Sequence, residues 1–228
     1  MIKKINILGM QVDNYTVRES MLRLESYTNN AVLNIIETIT MKQLMLATEN
    51  PVVRECVEKC DLSVIGEKEI LAEVGNVSAQ RIREIQDKDF MFELIKRIVR
   101  NQKRVYLIGK TRADIEAMHN FFVEVNPKFS EIESYALDEC AGDADDIINE
   151  INSETPDIII SALPSPYEEE FIMEHKDKIG ANIWYGLGAD YHKKTGIFNV
   201  SRMVRNLSLR GQLRHTMQKY EKEIKDRK

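Results

Sequence analysis

The sequence predicts an α/β fold, in which a mostly parallel β-sheet is flanked by helices and followed by a basic helical C-terminal appendage. Short apolar runs rich in β-branched residues alternate with longer stretches of helical periodicity, as in chains whose strands are separated by helices. Connections of ten or more residues between strands favour parallel pairing. The 228 residues are 43% hydrophobic and 30% charged, a composition that supports a large buried core rather than disorder.

Seven segments predict strands, because each is short and apolar and most are closed by a glycine or a polar residue. The clearest is 157–163, which is dominated by isoleucine, and 104–109 is a second buried run that ends in glycine. In chain order the predicted strands are 4–9, 32–40, 61–66, 104–109, 132–137, 157–163 and 181–187.

The intervening segments predict helices from their caps and their apolar periodicity. Thr16 and Glu19 form the pattern of a capping box ahead of a helix whose apolar face includes Met21 and Leu24. Pro51 suits the first turn of another helix, since its fixed φ fits that position. Further helices are expected at 41–47, 90–100, 113–125, 144–151 and 168–175, and from Val200 onwards.

The chain is predicted to divide into a Rossmann-like domain over residues 1–200 and the appendage over residues 201–228. Lys and Arg outnumber Asp and Glu nine to three in residues 202–228, whereas the whole chain has a net charge of −5. A basic tail on an acidic body indicates an anionic partner at that end. Arginines beside apolar residues suit either an anionic membrane surface or a bidentate contact to a diphosphate; a helix packed on its own domain is the alternative.

Several classes of function are disfavoured by the sequence. No apolar run approaches the ~20 residues of a membrane-spanning helix and no secretion signal is present, so we expect a soluble cytoplasmic protein. Cys56 and Cys60 are more typical of buried packing than of a metal or redox site. The four histidines form no metal-type pair, so neither a metal nor a cofactor is expected. Nucleic acid is disfavoured because no aromatic platform accompanies the basic tail.

Carboxylates follow two of the predicted strands, at the edge where a parallel sheet binds its ligands. Glu67 comes directly after the strand at 61–66, where it can act as a general base toward a hydroxyl; a solvated loop residue is the alternative. Glu168 and Glu169 either stabilise the start of a helix or bind sugar hydroxyls.

Glycines at two other strand ends would let a ligand approach the backbone. Gly109 is followed by Lys110 and Thr111, but position 104 is Arg where a phosphate-binding loop requires its first glycine, so a nucleoside triphosphate site is disfavoured. This turn either directs N–H groups at a diphosphate or is an ordinary strand-to-helix turn. Gly186 and Gly188 fit a close ligand approach and a tight turn equally well.

An ordered set of motifs resembles one family of enzymes. It comprises an opening strand and turn ending at Asp13, a Thr-x-Asn motif that is Thr38 to Thr40 here, the strand at 105–109, and the pair Gly186 and Gly188. In this order and spacing, residues 5–214 resemble the WecG/TagA/CpsF family of bacterial glycosyltransferases. Residues 1–200 are therefore expected to be a glycosyltransferase-like domain.

The resemblance implies a reaction and its partners. Family members transfer an N-acetylmannosamine-type sugar from a UDP-sugar to a polyprenyl-diphosphate-linked acceptor in cell-envelope polysaccharide synthesis. The implied reaction is independent of metal, uses an aspartate as general base, and places arginines of the C-terminal appendage near the diphosphate. The tail would then hold the protein peripherally at the inner face of the cytoplasmic membrane, and a homo-oligomer is compatible with this picture.

The sequence departs from the family pattern at its functional positions. The Asp-Gly pair after the third strand is Gly66-Glu67, the Gln of a Gln-Glu pair is Glu168, and an expected arginine falls at Glu84, beside Arg83. Two interpretations are therefore open. The chain is either a divergent transferase whose base has moved to Glu67, or a catalytically degenerate relative that binds a nucleotide sugar or a partner protein without turnover.

These arguments predict Glu67 and Thr38 as catalytic residues and no metal ligand. The predicted substrate-binding residues are Asp13, Thr40, Arg83, Gly109, Glu168, Glu169, Gly186, Gly188, Arg205, Arg210 and Arg214.

Overall fold

The described part of the chain contains a six-stranded parallel sheet flanked by helices, which confirms the predicted α/β class. The computed structural model describes residues 3–28, 32–75, 78–139, 142–188 and 200–226, with only the backbone described for 200–206. The sheet strands are β3 (Asn34–Ile39), β4 (Leu62–Ile65), β5 (Val105–Gly109), β6 (Glu133–Ala136), β7 (Ile158–Ala162) and β8 (Ile183–Gly186). Their order is β4-β3-β8-β7-β5-β6, and all neighbours are parallel.

Helices lie on both faces of this sheet. They are α1 (Val17–Tyr27), α2 (Met41–Leu46), α3 (Pro51–Lys59), α4 (Lys68–Val74), α5 (Ala79–Gln86), α6 (Asp89–Arg100), α7 (Arg112–Val125), α8 (Ala144–Glu154), α9 (Tyr167–His175) and α10 (Val200–Asp226). One apolar cluster joins α1, α6 and α7 to the sheet, and another joins α8 and α9 to its opposite face. Strands β5, β7 and β8 are buried at every position because both of their faces are covered.

The capping box predicted ahead of α1 is confirmed. The Glu19 N–H donates to Thr16 Oγ1 at 3.3 Å, and the Thr16 N–H donates to Glu19 Oε2 at 2.9 Å. Pro51 stands at the first position of α3, where Asn50 accepts from the N–H groups of Val52 and Val53. Local sequence therefore determines where these helices begin.

The strand predicted at 4–9 is present, but it does not belong to the parallel sheet, and its partner strand was not predicted. Strand β1 (Lys4–Ile7) pairs antiparallel with β2 (Met10–Asp13) in a separate two-stranded sheet. The turn between them consists of Leu8 and Gly9, both with positive φ, 54° and 85°. A two-residue turn of this kind closes an antiparallel hairpin, whereas a parallel partner would need a long crossover connection.

Helices α4 and α5 occupy a segment for which the sequence analysis assigned no structure. Each is short, seven and eight residues. Ile70, Leu71 and Ile85 are their buried apolar residues, and they join the cluster formed by the hairpin, α2 and α3. Apolar residues this sparse give little periodicity, so tertiary packing rather than pattern identifies these helices.

The helix predicted from Val200 onwards is confirmed, and four of its apolar residues pack against the protein. Leu213 is fully buried, and Leu209, Met217 and Tyr220 pack around it against the hairpin and helices α2 to α4. Among the described residues, no helix has both the length and the apolar character needed to cross a membrane.

Replacement of Leu213 by Ala is expected to lower the free energy of unfolding by about 2–4 kcal/mol, because a fully buried leucine leaves a cavity. Leu207→Ala is the matched control, since Leu207 is 57% exposed on the same helix, and a change below about 0.5 kcal/mol is expected there. Urea denaturation measures both variants. Equal effects would contradict the docking of α10 against the body of the protein.

Candidate active site

A cavity lies at the carboxyl ends of β3, β4 and β8, the edge at which the sequence predicted a site. The ends of these strands form one wall, and residues of α1, α5 and the start of α6 form the other. The cavity has a volume of about 110 Å³, counted as the space open to the centres of water molecules. This is several times the ~10–15 Å³ that one ordered water needs. Its apolar lining is interrupted by a few hydroxyl and charged groups, which is typical of ligand pockets.

Thr38 and Thr40 line this cavity at the end of β3. The Thr38 hydroxyl donates to the Tyr185 hydroxyl at 3.2 Å, and the Tyr185 ring packs edge-on against Phe90 with centroids 5.6 Å apart. Thr40 caps α2 by accepting from the Gln43 N–H at 3.1 Å. Burial raises the pKa of Tyr185, so its hydroxyl stays protonated and can serve as a hydrogen-bond donor within the cavity.

The Glu67 side chain also lines the cavity, where it is half-buried. Its Oε2 accepts from the Met41 N–H, the first residue of α2, at 2.6 Å. This contact directs the carboxylate toward β3 and α2 instead of toward bulk water. A carboxylate and a threonine hydroxyl therefore share one pocket, as a general base and a substrate-orienting group require.

Gly66 explains why the carboxylate stands one position later than in the family pattern. A Cβ at position 66 would lie 2.6 Å from Thr38 Cγ2 and 3.3 Å from the Ile39 carbonyl oxygen. The threonine side chain is β-branched and stiff, and the carbonyl belongs to the paired strand. This backbone therefore accepts glycine at 66, and an acidic side chain enters the cavity from 67.

The cavity arginine is Arg81, and sequence reasoning missed it. Arg81 is 5% exposed, with its Nε donating to Asn14 Oδ1 at 3.2 Å and its Nη1 to Glu84 Oε2 at 2.6 Å. Arg83, the predicted residue, is exposed and does not line the cavity. Arg81 and Glu84 are three residues apart on α5, so they share a face that only an assigned helix would have revealed.

Asp13 supports the cavity wall from behind. It is 6% exposed, and its Oδ2 accepts from the Ser63 N–H at 3.1 Å, while its own N–H donates to Ser63 Oγ at 2.6 Å. Ser63 itself lines the cavity. The predicted residue Asp13 thus ties the β1–β2 hairpin to the central sheet at the site.

Glu168 and Glu169 lie on the opposite face of the sheet from the cavity. Successive strand residues point to opposite faces, so Glu37 points away from the cavity that Thr38 lines. Gln43 Nε2 donates to Glu37 Oε2 at 3.3 Å and to Glu169 Oε1 at 2.8 Å, which gathers buried carboxyl groups in one place. Trp184 Nε1 donates to Glu168 Oε1 at 3.1 Å.

This carboxyl cluster, formed by Glu37, Glu168 and Glu169, has no cationic partner among the described side chains. Burial raises the pKa of Glu168 to about 8, and the neighbouring Glu169 carboxylate adds to the increase. Burial and the two other carboxyl groups raise the pKa of Glu37 well above its usual range. Within the described part of the chain, no group of three or more His, Cys, Asp or Glu could hold a metal ion. The raised pKa values of Glu37 and Glu168 favour the protonated, uncharged form of these two carboxyl groups.

The predicted glycines lie at different distances from the cavity. Gly188 has a φ of +70°, and a Cβ there would lie 3.4 Å from Thr40 Cγ2, so it adjoins the cavity threonines. Gly186 faces the carboxyl cluster, since its Cβ would meet Glu37 Oε2 at 2.8 Å. Gly109 ends β5, which β7 separates from β8, and it does not line the cavity.

Two of the predicted tail arginines contact α4, away from the cavity lining. Arg210 Nε lies 2.7 Å from Glu73 Oε1, and Arg214 Nε lies 3.8 Å from Glu73 Oε2. The side chain of Arg205 lies outside the described part of the structure.

The chain is similar to known proteins over most of its length. Residues 5–211 match the glycosyl transferase WecG/TagA/CpsF family. The chain is similar to the N-acetylglucosaminyldiphosphoundecaprenol N-acetyl-beta-D-mannosaminyltransferases of Staphylococcus aureus strains NCTC 8325 / PS 47, COL and N315. Each is 21% identical over 187 residues, which cover 81% of this chain and 73% of the relative. The matched span includes every residue that lines the cavity.

The carboxyl cluster predicts a fall in stability with rising pH. The pKa of Glu168 is about 8 in the folded chain, against an ordinary value of 4.5. The protonated Glu168 carboxyl group therefore makes its full contribution to the free energy of unfolding below pH 4.5, and this contribution is lost as the pH rises through about 8. Glu168→Gln keeps an acceptor for Trp184 and removes this loss, so it should raise the free energy of unfolding by roughly 1–3 kcal/mol at pH 9.

Urea denaturation between pH 5 and pH 9 measures this effect. Glu170→Gln is the matched control, because Glu170 is an exposed carboxylate on the same helix. A Glu168→Gln variant with the pH profile of the parent would show that the cluster does not bind protons as described.

A second prediction follows from the close approach of Gly66 to Thr38. Gly66→Ala is expected to destabilise the protein by about 1–3 kcal/mol, because the added methyl group overlaps the paired strand. Gly211→Ala is the control and is expected to change the stability in the opposite direction. A Cβ at position 211 meets nothing within 4 Å, and alanine in place of glycine in a helix interior stabilises by about 0.5–1 kcal/mol. Thermal unfolding distinguishes the two, and a Gly66→Ala variant as stable as the parent would contradict the packing.

Proposed function

This chain belongs to the glycosyl transferase WecG/TagA/CpsF family, and we propose that it is an active transferase that moves an N-acetylmannosamine-type sugar from a UDP-sugar to a polyprenyl-diphosphate-linked acceptor. The Staphylococcus aureus relatives are named for transfer of N-acetylmannosamine to N-acetylglucosaminyldiphosphoundecaprenol, which supports both the sugar and the acceptor class. The UDP donor and the role in cell-envelope polysaccharide synthesis follow from the family resemblance.

One observation carries the proposal: the Glu67 carboxylate and the Thr38 hydroxyl line the same cavity at the carboxyl edge of the sheet. In the proposed reaction the acceptor oxygen bonds to the anomeric carbon as the bond from that carbon to UDP breaks. Glu67 takes the proton that the acceptor hydroxyl gives up. Thr38, oriented by its hydrogen bond to Tyr185, is proposed to hold the reacting hydroxyl or the sugar.

Negative charge accumulates on the departing UDP, where cationic and N–H donors stabilise it most. Arg81 and Lys88 are cationic residues of the cavity lining. The contacts of Arg81 with Asn14 and Glu84 use two of its five N–H donors and fix the plane of the guanidinium. We therefore add Arg81 to the residues proposed to bind the donor.

The other predicted site residues differ in how close they lie to the cavity. Thr40 lines the cavity and Gly188 adjoins it, so contact with substrate is proposed for both, while Asp13 is proposed to support the wall through Ser63. Substrate contact by the remaining five stays a prediction, because none of them lines the cavity: Arg83, Gly109, Glu168, Glu169 and Gly186.

The tail is proposed to meet the lipid-linked acceptor at the cytoplasmic face of the membrane. Most described apolar residues of α10 pack on the protein itself and only Leu207 and Ile224 are exposed, so the proposed peripheral membrane contact rests chiefly on the basic residues of the helix. Arg210 and Arg214 have 44% and 67% of their side chains exposed. Together with Arg205, they are proposed to bind the diphosphate of the acceptor. A homo-oligomer stays a prediction.

The alternative is a degenerate relative that binds a nucleotide sugar or a partner protein without turnover. One observation favours it: Glu67 accepts the Met41 N–H and so also acts as a structural cap for α2. Turnover distinguishes the two functions, because only an active transferase releases UDP when the acceptor is present.

Glu67→Gln is expected to lower kcat by about 10²–10⁴-fold, because the amide keeps an acceptor for the Met41 N–H but cannot take a proton. UDP release from a panel of UDP-sugars, in the presence of a diphosphate-lipid acceptor, measures the rate. Glu69→Gln is the matched control, since it removes the same charge two residues later, outside the cavity. Full activity of Glu67→Gln would eliminate this base, and binding of UDP-sugar without turnover by the parent would establish the alternative.

A further inference from the structure

Glu73 on α4 lies in a groove beside α10 and contacts two arginines. Its side chain is 8% exposed, and it pairs with Arg210 through Oε1 at 2.7 Å and with Arg214 through Oε2 at 3.8 Å. Ala72, Met217, Gln218 and Glu221 complete the lining of this groove. A nearly buried carboxylate is thus shared between two arginines that stand one helical turn apart.

Both contacts with Glu73 use the Nε atom of the arginine. A guanidinium has five N–H donors in a planar fork, and the Nη atoms carry four of them. The side chains of Arg210 and Arg214 are 44% and 67% exposed although their Nε atoms face Glu73. Glu73 therefore accepts a hydrogen bond from Arg210 Nε and forms a longer ion pair with Arg214 Nε, while a large part of each arginine side chain stays exposed.

An anion that binds these arginines has two routes. It can displace Glu73, or it can add to the outer ends of the forks while Glu73 stays in place. Displacement would leave the Glu73 carboxylate without its two cationic partners in a site where it is 8% exposed, and an uncompensated buried charge is strongly destabilising. Addition keeps every pair and leaves the two arginines and Glu73 with a net positive charge. The second route is therefore favoured.

Helix α4 also connects this groove to the cavity. Glu67 immediately precedes α4, and Glu73 is near its other end, six residues later. At 1.5 Å per residue, the two are about 9 Å apart along the helix axis. A ligand that carries both a diphosphate and a reacting hydroxyl would thus meet two groups held by the same short helix.

We propose that Glu73 is a positioning residue, which holds Arg210 and Arg214 by their Nε atoms so that the outer ends of both guanidinium groups bind the diphosphate of the lipid-linked acceptor. This inference rests on the proposed function, which assigns the acceptor diphosphate to the tail arginines. Glu73 itself does not touch the ligand. The opposite role, a counter-ion that competes with the diphosphate, is an outcome of the test.

Two charge-matched variants separate these roles. Glu73→Gln and Glu221→Gln each remove one negative charge from the groove, but Glu221 is exposed and forms no ion pair with Arg210 or Arg214 among the described contacts. Positioning predicts that Glu73→Gln binds inorganic pyrophosphate at least 5-fold more weakly, while Glu221→Gln binds it as well as or better than the parent. Isothermal calorimetry measures both. Equal or tighter binding by Glu73→Gln would overturn the proposal.

A double variant, Arg210→Lys with Arg214→Lys, keeps the charge but removes the forks, so it tests the geometry even if Glu73→Gln releases α10. At least a 5-fold loss of pyrophosphate affinity is expected, since a lysine cannot bond Glu73 and the anion through separate edges. Affinity equal to that of the parent would overturn the proposal. Hydrogen exchange in α10 reports whether the helix stays docked in each variant.

The source of the diphosphate is tested with UDP in place of pyrophosphate. Unchanged UDP affinity in Glu73→Gln is expected, because the donor is proposed to bind in the cavity; an equal loss for UDP would overturn the assignment to the acceptor. In a turnover assay, a positioning role of Glu73 predicts that Glu73→Gln raises the KM for the acceptor and retains kcat. Unchanged pyrophosphate binding after Arg210→Gln with Arg214→Gln would instead refute the tail's part in the proposed function, whatever Glu73→Gln does.

Discussion

The close packing of β4 against β3 at their carboxyl ends is the constraint on which the site depends. The two strands are parallel and in register, with Thr38 opposite Val64 and Ile39 opposite Ile65. Beyond that point the backbone at Gly66 passes so near Thr38 that no Cβ fits without movement. The chain therefore turns into α4 with Glu67 facing the cavity. The position of the carboxylate follows from a steric limit between two neighbouring strands.

The sheet separates two acidic environments, one on each of its faces. On one face Glu67 lies in the cavity, where it accepts a main-chain N–H. On the other face Glu37, Glu168 and Glu169 are buried together, and burial raises the pKa of Glu168 to about 8. A protonated carboxyl group carries one O–H donor beside a carbonyl acceptor, whereas a side-chain amide carries two N–H donors beside its carbonyl acceptor. Protonated Glu168 can therefore accept one hydrogen bond and donate another, as the Gln that the family resemblance expects at this position can, with one donor fewer.

Helix α10, which forms the basic tail, packs against the elements that carry the site. Leu213 and the residues around it pack on the same apolar cluster as α2 and α4. Glu73 of α4 pairs with the Nε atoms of Arg210 and Arg214. A Cβ on Gly9 would collide with Tyr220, so the hairpin turn also fits this helix closely. The basic tail is thus held in a defined register against the domain, and its arginines are oriented by packing as well as by charge.

The sequence by itself determined the six strands of the parallel sheet and most helices, because β-branched runs, caps and apolar periodicity are local signals. It also predicted a candidate site at the carboxyl edge of the sheet, and Thr38, Thr40 and Glu67 line the cavity found there. Only the tertiary structure decided the rest. The antiparallel hairpin, the burial of Arg81 and the gathering of Glu37 with Glu168 and Glu169 all depend on contacts between residues distant in sequence. Periodicity reports which face of an element is buried, whereas the partner that covers that face is set by the packing of the whole chain.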